Sequence, residues 1–340
     1  MAKDKLRFAL IGCGDVGLKN VLALEASRRC ELRMIIDENP DALACLPENL
    51  QAKTGTDVSL AFESPDVDAV FIATPHHHHA DLCIRALRSG KHVVVEKPLA
   101  HTLSEARRMC QEAESANVQL SVCHPRQYDV LVQKARGMIE QGKIGKTLLV
   151  VSNYYRAKGR EYWSEGLTGR THSEWRMAKQ QSGGGVLMMN GVHHIDTILS
   201  VIGKRVKSVI SHSANLDSPG DIEDTASLIM GLDDGLTCYL QTCVIPGTSH
   251  RVEDRFIGTK GEIIIKPKSL ETRIHSENGT ETQTFEREGE DSSKEMFFDE
   301  FARATLSGLT PPSPASYGLQ IMEIVTAAYR SQESSHVELI

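Results

Sequence analysis

The residues best suited to chemistry are a glycine-rich run, Gly12-Cys13-Gly14-Asp15-Val16-Gly17, a lysine, Lys97, and a pair of imidazoles, His193-His194. The run has the G-x-G-x-x-G spacing, which by itself recurs by chance. Its surroundings make it specific. It follows an apolar run, opens a helical pattern from Val16 to Ala26, and has Asp37 twenty residues beyond Gly17 at the end of a second apolar run. Gly12 permits a tight turn, Gly14 lets backbone approach a pyrophosphate, and Gly17 lets the helix close on the sheet. The helix N-terminus then faces phosphate charge, with Cys13, Asp15 and Val16 completing the cradle. Asp37 is expected to accept from the adenosine ribose hydroxyls. With Glu38 beside it, a 2′-phosphate would meet negative charge, so NAD is expected over NADP.

Val95-Glu96-Lys97-Pro98 ends the fourth apolar run and puts Lys97 at the carboxyl edge of a parallel sheet, where ligands bind in such folds. An ammonium partly desolvated at such an edge titrates below its solution value, which suits a proton relay.

Those residues need a frame. The first third alternates β-branched runs with amphipathic stretches, the mark of successive βαβ units and a parallel sheet. Strands are expected at Leu6–Gly12, Glu31–Asp37, Ala69–Thr74, His92–Glu96 and Gln119–Cys123. A helix over Asp81–Ser89 is stopped by Gly90, and the capping box Thr102-Leu103-Ser104-Glu105 opens the next. After Cys123 come a helix near Val130–Gln141, a strand at Thr147–Tyr155 and an arginine- and glycine-rich connection to Gly185. Val186–Ile202 reads as one apolar helix ended by Gly203. Strand-like segments at Ser208–Ala214, Thr225–Gly231, Leu236–Val244 and Gly261–Ile265 follow without helices between them, so that sheet is largely antiparallel. Helices near Lys294–Leu306 and Tyr317–Ser331 close the chain. The expected fold class is α/β. A Rossmann dinucleotide-binding domain over residues 1–124 precedes an α+β domain over residues 125–340 with a large, mostly antiparallel, open-faced sheet.

A length of 340 residues suits two domains, each able to bury a core. The formal net charge of −7 disfavours nucleic acid and acidic membrane surfaces, leaving a small-molecule partner. The eight cysteines are scattered, with no C-x-x-C pair and no Cys/His zinc spacing, which fits a reducing compartment. No signal peptide is visible after Met1 and no segment approaches a membrane span, so a cytoplasmic location is expected. Consecutive histidines His76-His77-His78-His79 point in different directions and lack a carboxylate or thiol partner, so no metal is expected; His76 and His79 are assigned to the cofactor, the other two to solvent.

With Ala73-Thr74-Pro75 and His79, Gly90-Lys91-His92-Val93 leading to Glu96-Lys97-Pro98, Trp175-Arg176, Gly183-Gly184-Gly185, and Gly191-Val192-His193 with Asp196, the chain resembles the Gfo/Idh/MocA family over nearly its whole length. This is the glucose-fructose oxidoreductase and inositol dehydrogenase group. The resemblance implies an NAD-dependent dehydrogenase that exchanges a hydride with a secondary hydroxyl or keto carbon of a sugar, sugar derivative or cyclitol. Together with the exposed sheet face, it also implies a homo-oligomer, dimer or tetramer. Lys97 is implied at the reacting hydroxyl and the nicotinamide ribose, Glu96 at that ribose, and Thr74, Pro75 and His79 beneath the cofactor. His193 corresponds to the histidine that removes the hydroxyl proton. Here the sequence departs from the family's commonest pattern, because the position one turn before His193 holds Met189 rather than a polar residue. A thioether neither orients an imidazole nor stabilises its cation. Asn190 can bond a substrate but takes no proton, and His194, one turn beyond it, is a further candidate for the base. Lys97 is therefore expected to share or dominate proton transfer, with His193 as polar contact and base.

Several residues keep two readings. Arg156, Lys158, Arg160, Arg170 and Arg176 either bind a carboxylate or phosphate on the substrate or line a solvated loop. Arg126 reaches cofactor or substrate, or makes a salt bridge between domains. Tyr154, Tyr155, Tyr162, Trp163 and Trp175 either stack on a sugar face or form a core under the loop. The candidate substrate contacts are Lys97, Arg126, Tyr154, Trp175, Arg176, Asn190, His193 and His194. Two other functions stay open: a glycoside-cleaving enzyme whose bound NAD is reduced and reoxidised within each turnover, and a dinucleotide-binding regulatory protein without turnover.

Overall fold

In the computed structural model, which describes residues 4–165, 173–247 and 249–340, the first apolar run becomes strand β1, Leu6–Ile11. Met1, Arg170 and the centre of the Arg156–Ser182 connection lie outside the described residues. Five more strands join it: β2 (Cys30–Ile36), β3 (Lys53–Gly55), β4 (Ala69–Ile72), β5 (His92–Glu96) and β6 (Leu120–Cys123). All pair in parallel in the order β3-β2-β1-β4-β5-β6. The order reverses between β1 and its neighbours β2 and β4, the switch point where open α/β sheets bind ligands. β4 and the interior of β5 are buried on both faces, which is why they read as unbroken apolar runs. β3 escapes a sequence reading because a three-residue edge strand, Lys53-Thr54-Gly55, carries no apolar signal.

The chain divides into two compact units, and the first gathers Met1–Pro125 with Glu161–Gly183 and Lys294–Met322. Both later segments lie beyond the division drawn from sequence at residue 124. The last of them belongs there for an apolar reason. The Ser293–Leu306 helix brings Phe297, Phe298 and Phe301, all fully buried, against Phe8 and Phe71 of the sheet. The Phe298 ring meets Phe71 edge-on at 5.3 Å and Phe8 at 5.9 Å between centroids.

The second unit comprises Arg126–Arg160, Gly184–Ser293 and Glu323–Ile340. Its sheet holds β7 (Thr147–Arg156), β8 (Val206–Ala214), β9 (Thr225–Leu232), β10 (Thr237–Val244), β11 (Arg251–Gly258), β12 (Gly261–Ile265), β13 (Ser269–Ser276), β14 (Gly279–Glu286) and β15 (Glu338–Leu339). The order is β14-β13-β12-β11-β7-β10-β9-β8-β15, antiparallel throughout except for the parallel pair β7 and β10. β9 and β10 alternate strictly: Leu228, Met230, Cys238 and Leu240 are buried, while Ile229 and Tyr239 point outward. β11, β13 and β14 are polar enough on their outer face to hide from an apolar reading.

The apolar helix is not uniform. Leu187–Gly191 forms a wide π-turn before the α-helix Val192–Ile202, a distortion frequent at functional sites. Contrary to the expectation that nothing approaches a membrane span, Lys179–Ile202 is long and apolar enough by composition; 78% of its apolar window is buried within the protein, as in a core helix.

Candidate functional site

At the carboxyl end of β1 the backbone turns through Gly12, whose φ of +90° disfavours a side chain; a Cβ there would also lie 2.7 Å from the Ala73 carbonyl oxygen. A Cβ on Gly17 would stand 2.1 Å from the Gly12 oxygen, so the helix closes on the turn only because position 17 is bare. The Asp15–Ala26 helix starts at Gly14 without a side-chain cap, leaving first-turn amides available to an anion. Asp37, just past β2, accepts from the buried Cys13 amide at 2.7 Å and from the Asn39 amide at 2.9 Å. The carboxylate thus braces the glycine turn, and Glu38 beside it is exposed.

The next turns, after β4 and β5, are tied together by His79. Its Nδ1 lies 2.9 Å from the Pro98 oxygen and its Nε2 3.0 Å from the Thr74 oxygen. Burial drives this imidazole down to about 4, so near neutrality the ring carries one proton and donates to one carbonyl at a time. His76 is also buried and neutral; its Nδ1 donates to the Ser182 oxygen at 2.8 Å, and its ring meets Trp175 edge-on at 4.6 Å. Of the other two, His77 is partly buried and His78 exposed.

Lys97 lies in a cluster with more positive than negative charge. Burial lowers its ammonium from the ordinary value; Glu96 opposes this, while Lys294 and Arg176 add to it. Glu96 is buried and accepts from Asn20 Nδ2 at 3.0 Å, from Lys294 Nζ at 3.3 Å and from the Lys97 amide at 3.2 Å. Burial pushes its carboxyl up, but Lys294, Lys97 and the Asn20 bond outweigh that and hold it below the usual range. Lys294 also donates to Asn20 Oδ1 at 2.7 Å. His124, after β6, is driven to about 3 by burial and by the Lys97 charge. Sequence reading missed Lys294, Asn20 and His124, since none sits in a local pattern with Lys97.

Trp175 and Arg176, read from sequence as substrate contacts, belong to the first unit. The Arg176 guanidinium stacks over Trp175 at 4.9 Å, and burial lowers it while Tyr162 and Asp15 act oppositely. Arg126, another candidate, belongs to the second unit and is committed there: it donates to Thr197 Oγ1 at 3.2 Å and Asp129 Oδ2 at 3.1 Å. Asp129 is shared with Arg287 at 2.7 Å.

In the second unit the π-turn carries Asn190, whose Nδ2 donates to the Tyr154 hydroxyl at 3.1 Å. Met189 is buried, and His193 is partly exposed on the α-helix that follows. His194, offered as an alternative base, turns its Nδ1 edge into the sheet. It lies 2.8 Å from Asp254 Oδ1 and 3.0 Å from Ser152 Oγ, all three residues being buried. Burial raises the Asp254 carboxyl, but His194, Arg126 and Ser152 together hold it below its ordinary value. The start of this helix is held by Glu223, which accepts from the Gly185 amide at 2.7 Å, the Leu187 amide at 3.0 Å and the Tyr329 hydroxyl at 2.9 Å. Burial pushes Glu223 up because these donors, which pull it down, are all neutral.

The first unit fits a dinucleotide. Its turn admits no side chain at Gly12 or Gly17, its helix start is uncapped, and Thr74 Oγ1 and Arg176 Nη1 are buried without a hydrogen-bond partner among the described residues. Among the described residues no group of three or more His, Cys, Asp or Glu is arranged to hold a metal ion.

The sequence matches the family profile described as "Oxidoreductase family, NAD-binding Rossmann fold" over residues 6–124, and that for "Oxidoreductase family, C-terminal alpha/beta domain" over residues 136–339. It is 32% identical over 221 residues to a 1,5-anhydro-D-fructose reductase of Ensifer adhaerens, covering 64% of this chain and 63% of that protein. It is 28% identical over 264 residues to a 1-carboxy-3-chloro-3,4-dihydroxycyclohexa-1,5-diene dehydrogenase of Comamonas testosteroni, covering 76% and 62%. Both matches span less than two-thirds of the curated relative's length. In fold, the chain is similar to the WlbA dehydrogenase of Bordetella pertussis, solved with NADH and UDP-GlcNAcA, with a TM-score of 0.84 at 24% identity over 100% of this chain and 99% of that one.

Proposed function

We propose that this chain, which belongs to the Gfo/Idh/MocA oxidoreductase family, is an NAD-dependent dehydrogenase acting on a secondary hydroxyl or keto carbon of a sugar, sugar derivative or cyclitol. One observation carries the reading: Lys97 stands at the carboxyl edge of the parallel sheet with its ammonium lowered, while the adjacent Glu96 is engaged by Lys294 and Asn20. Such an amine hydrogen-bonds a substrate oxygen and gives up its proton more readily than an ordinary lysine. When bound, the dinucleotide supplies hydride exchange at its nicotinamide ring.

In this reading Lys97 binds the reacting oxygen and shares its proton with His193. Met189 gives His193 no carboxylate at the preceding turn, so Lys97 carries the larger part. Asn190 and Tyr154 orient other substrate hydroxyls. The amides of Gly14 to Val16 at the helix start hold the pyrophosphate, His79 fixes the Thr74-Pro75 and Lys97-Pro98 turns against each other, and Arg176 serves the dinucleotide rather than the substrate. Asp37 and Glu38 favour NAD over NADP. The curated relative that reduces 1,5-anhydro-D-fructose makes a polyhydroxylated substrate the natural first choice. Eight unbridged cysteines suit a reducing cytoplasm, and the outward Ile210, Ile229 and Tyr239 suit a homo-oligomer, dimer or tetramer.

The test is a screen of sugars, cyclitols and sugar acids with NAD and with NADP, followed by the absorbance of reduced nicotinamide. Reduction with at least one polyhydroxylated class is expected, at a kcat/KM roughly ten-fold or more higher with NAD. A purified protein that retains no dinucleotide, or reduces none with any such compound, sinks the reading.

A further inference from the structure

Among the described residues, seven arginines are partly shielded from solvent: Arg7, Arg126, Arg156, Arg176, Arg255, Arg287 and Arg303. Five have a carboxylate within ion-pair distance. Arg156 and Arg176 have none among the described residues. Arg176 lies in the first unit near the glycine turn and is accounted for there. Arg156 is in the second unit, at the end of β7.

Its surroundings are specific. Nη1 lies 2.7 Å from His250 Nε2, and because a guanidinium only donates, that imidazole nitrogen accepts. The neighbour therefore offers no countercharge. The guanidinium carbon stands 5.9 Å from the centre of the Tyr154 ring, and Nε is buried with no hydrogen-bond partner among the described residues. Tyr154 in turn holds Asn190, whose Oδ1 is likewise buried and, among the described residues, unpartnered. One unit thus presents a charged donor without a carboxylate and a neutral acceptor, each with one buried atom that has no partner among the described residues, joined through the same tyrosine. An unpaired shielded cation and an unpaired shielded carbonyl each cost free energy that a complementary ligand recovers. The complement of this pair is an anion and a hydroxyl on one small molecule. A single guanidinium beside a neutral imidazole matches a monoanion in charge, and its planar fork matches a carboxylate in shape.

We propose that Arg156 and Asn190 form a recognition site for a polyhydroxylated carboxylic acid, the guanidinium binding the carboxylate and the Asn190 amide oxygen accepting from a substrate hydroxyl. The inference rests on the dehydrogenase reading and narrows its substrate to sugar acids or cyclitol acids.

The experiment compares wild type, Arg156→Met, Arg156→Lys and the control Arg160→Met, whose arginine is exposed and paired with Asp217. Initial rates of NAD reduction are measured with D-glucuronate and D-galactonate, with D-glucose, D-galactose and myo-inositol, and with D-glucose 6-phosphate. Thermal shift of the NADH-loaded protein reports binding of the same compounds independently of turnover. Wild type and Arg160→Met are expected to prefer an acid over its neutral counterpart in kcat/KM. Arg156→Met should collapse that ratio by roughly 10- to 100-fold, with Arg156→Lys in between. Neutral or phosphorylated compounds favoured over the acids, or an acid-to-neutral ratio untouched in Arg156→Met, overturns this inference and leaves the dehydrogenase reading standing. Acids that stabilise wild type but not Arg156→Met while nothing is oxidised support the site and overturn the reading. Neither turnover nor a difference in binding overturns both.

Discussion

The charge cluster around Lys97 in the first unit and those around Asp254, Asp129 and Glu223 in the second are built in opposite ways. In the first, Lys97, Lys294 and Arg176 outnumber Glu96, and histidines 76, 79 and 124 stay neutral inside the same region. In the second, Asp254 faces His194 and Arg126, Asp129 faces two arginines, and Glu223 is met by amides and a phenol. A centre with surplus cation weakens every proton it holds and welcomes an anion; a centre whose donors and acceptors are matched does neither. The difference separates parts that handle protons and ligands from parts that fix a helix and a sheet in place.

Four measurements strain that contrast, the strongest first. Removing the amine itself should matter most. Lys97→Met is expected to lower kcat by about 10²- to 10⁴-fold while NADH still binds by fluorescence titration. Near-normal turnover in that variant, with His193→Ala inactive, would reassign the proton work to the second unit.

Acid comes next. The buried imidazoles His79 and His124 titrate in the fold at about 4 and about 3, against about 6.5 when unfolded. Between those limits the unfolded chain binds protons that the folded one refuses, so stability falls as pH drops below about 6.5 and is regained on raising it. Each group contributes on the order of a few kcal/mol at the acid end. Melting temperature followed from pH 7 downward should show this slope, and His124→Phe should flatten it; equal slopes would put the acid sensitivity elsewhere.

Glu223→Ala strips partners from two amides and a phenol. A loss of about 2–3 kcal/mol in denaturant unfolding is expected, with little change in the pH profile of any activity. A shifted profile would make Glu223 more than scaffold. The mildest effect belongs to Lys294→Met. It removes one of the charges that lower the Lys97 ammonium, so the rising limb of kcat/KM for alcohol oxidation should move to higher pH, and Lys294→Arg should restore it. An unmoved limb would show that burial alone sets the amine.

How much could be read beforehand follows from the same division. The glycine turn, Asp37 and Lys97 are legible because their geometry is local: a strand end, a tight turn and a helix start impose fixed spacings on residue types. The parallel sheet and the open antiparallel sheet were likewise expected, and both are present. Glu96 is met by Lys294 from 198 positions away and by Asn20 from 76, and Asp254 reaches His194 across 60; no spacing rule links such pairs. β11 and β13 were hidden because charge interrupts the apolar pattern, and β14 because it is exposed along nearly its whole length and carries almost no apolar residue. The π-turn at Leu187–Gly191 left no trace in a stretch whose apolar periodicity reads as plain helix.

The Phe297–Phe301 segment that seals β1 and β4 has a consequence for biogenesis. A nascent chain emerging from the ribosome presents Phe8 and Phe71 to water until more than two hundred residues have followed Phe71. A truncated product ending near residue 124 leaves both rings bare, inviting chaperone capture or aggregation. The first unit is thus completed only by a segment that lies beyond the whole of the second unit's large sheet apart from its short edge strand β15.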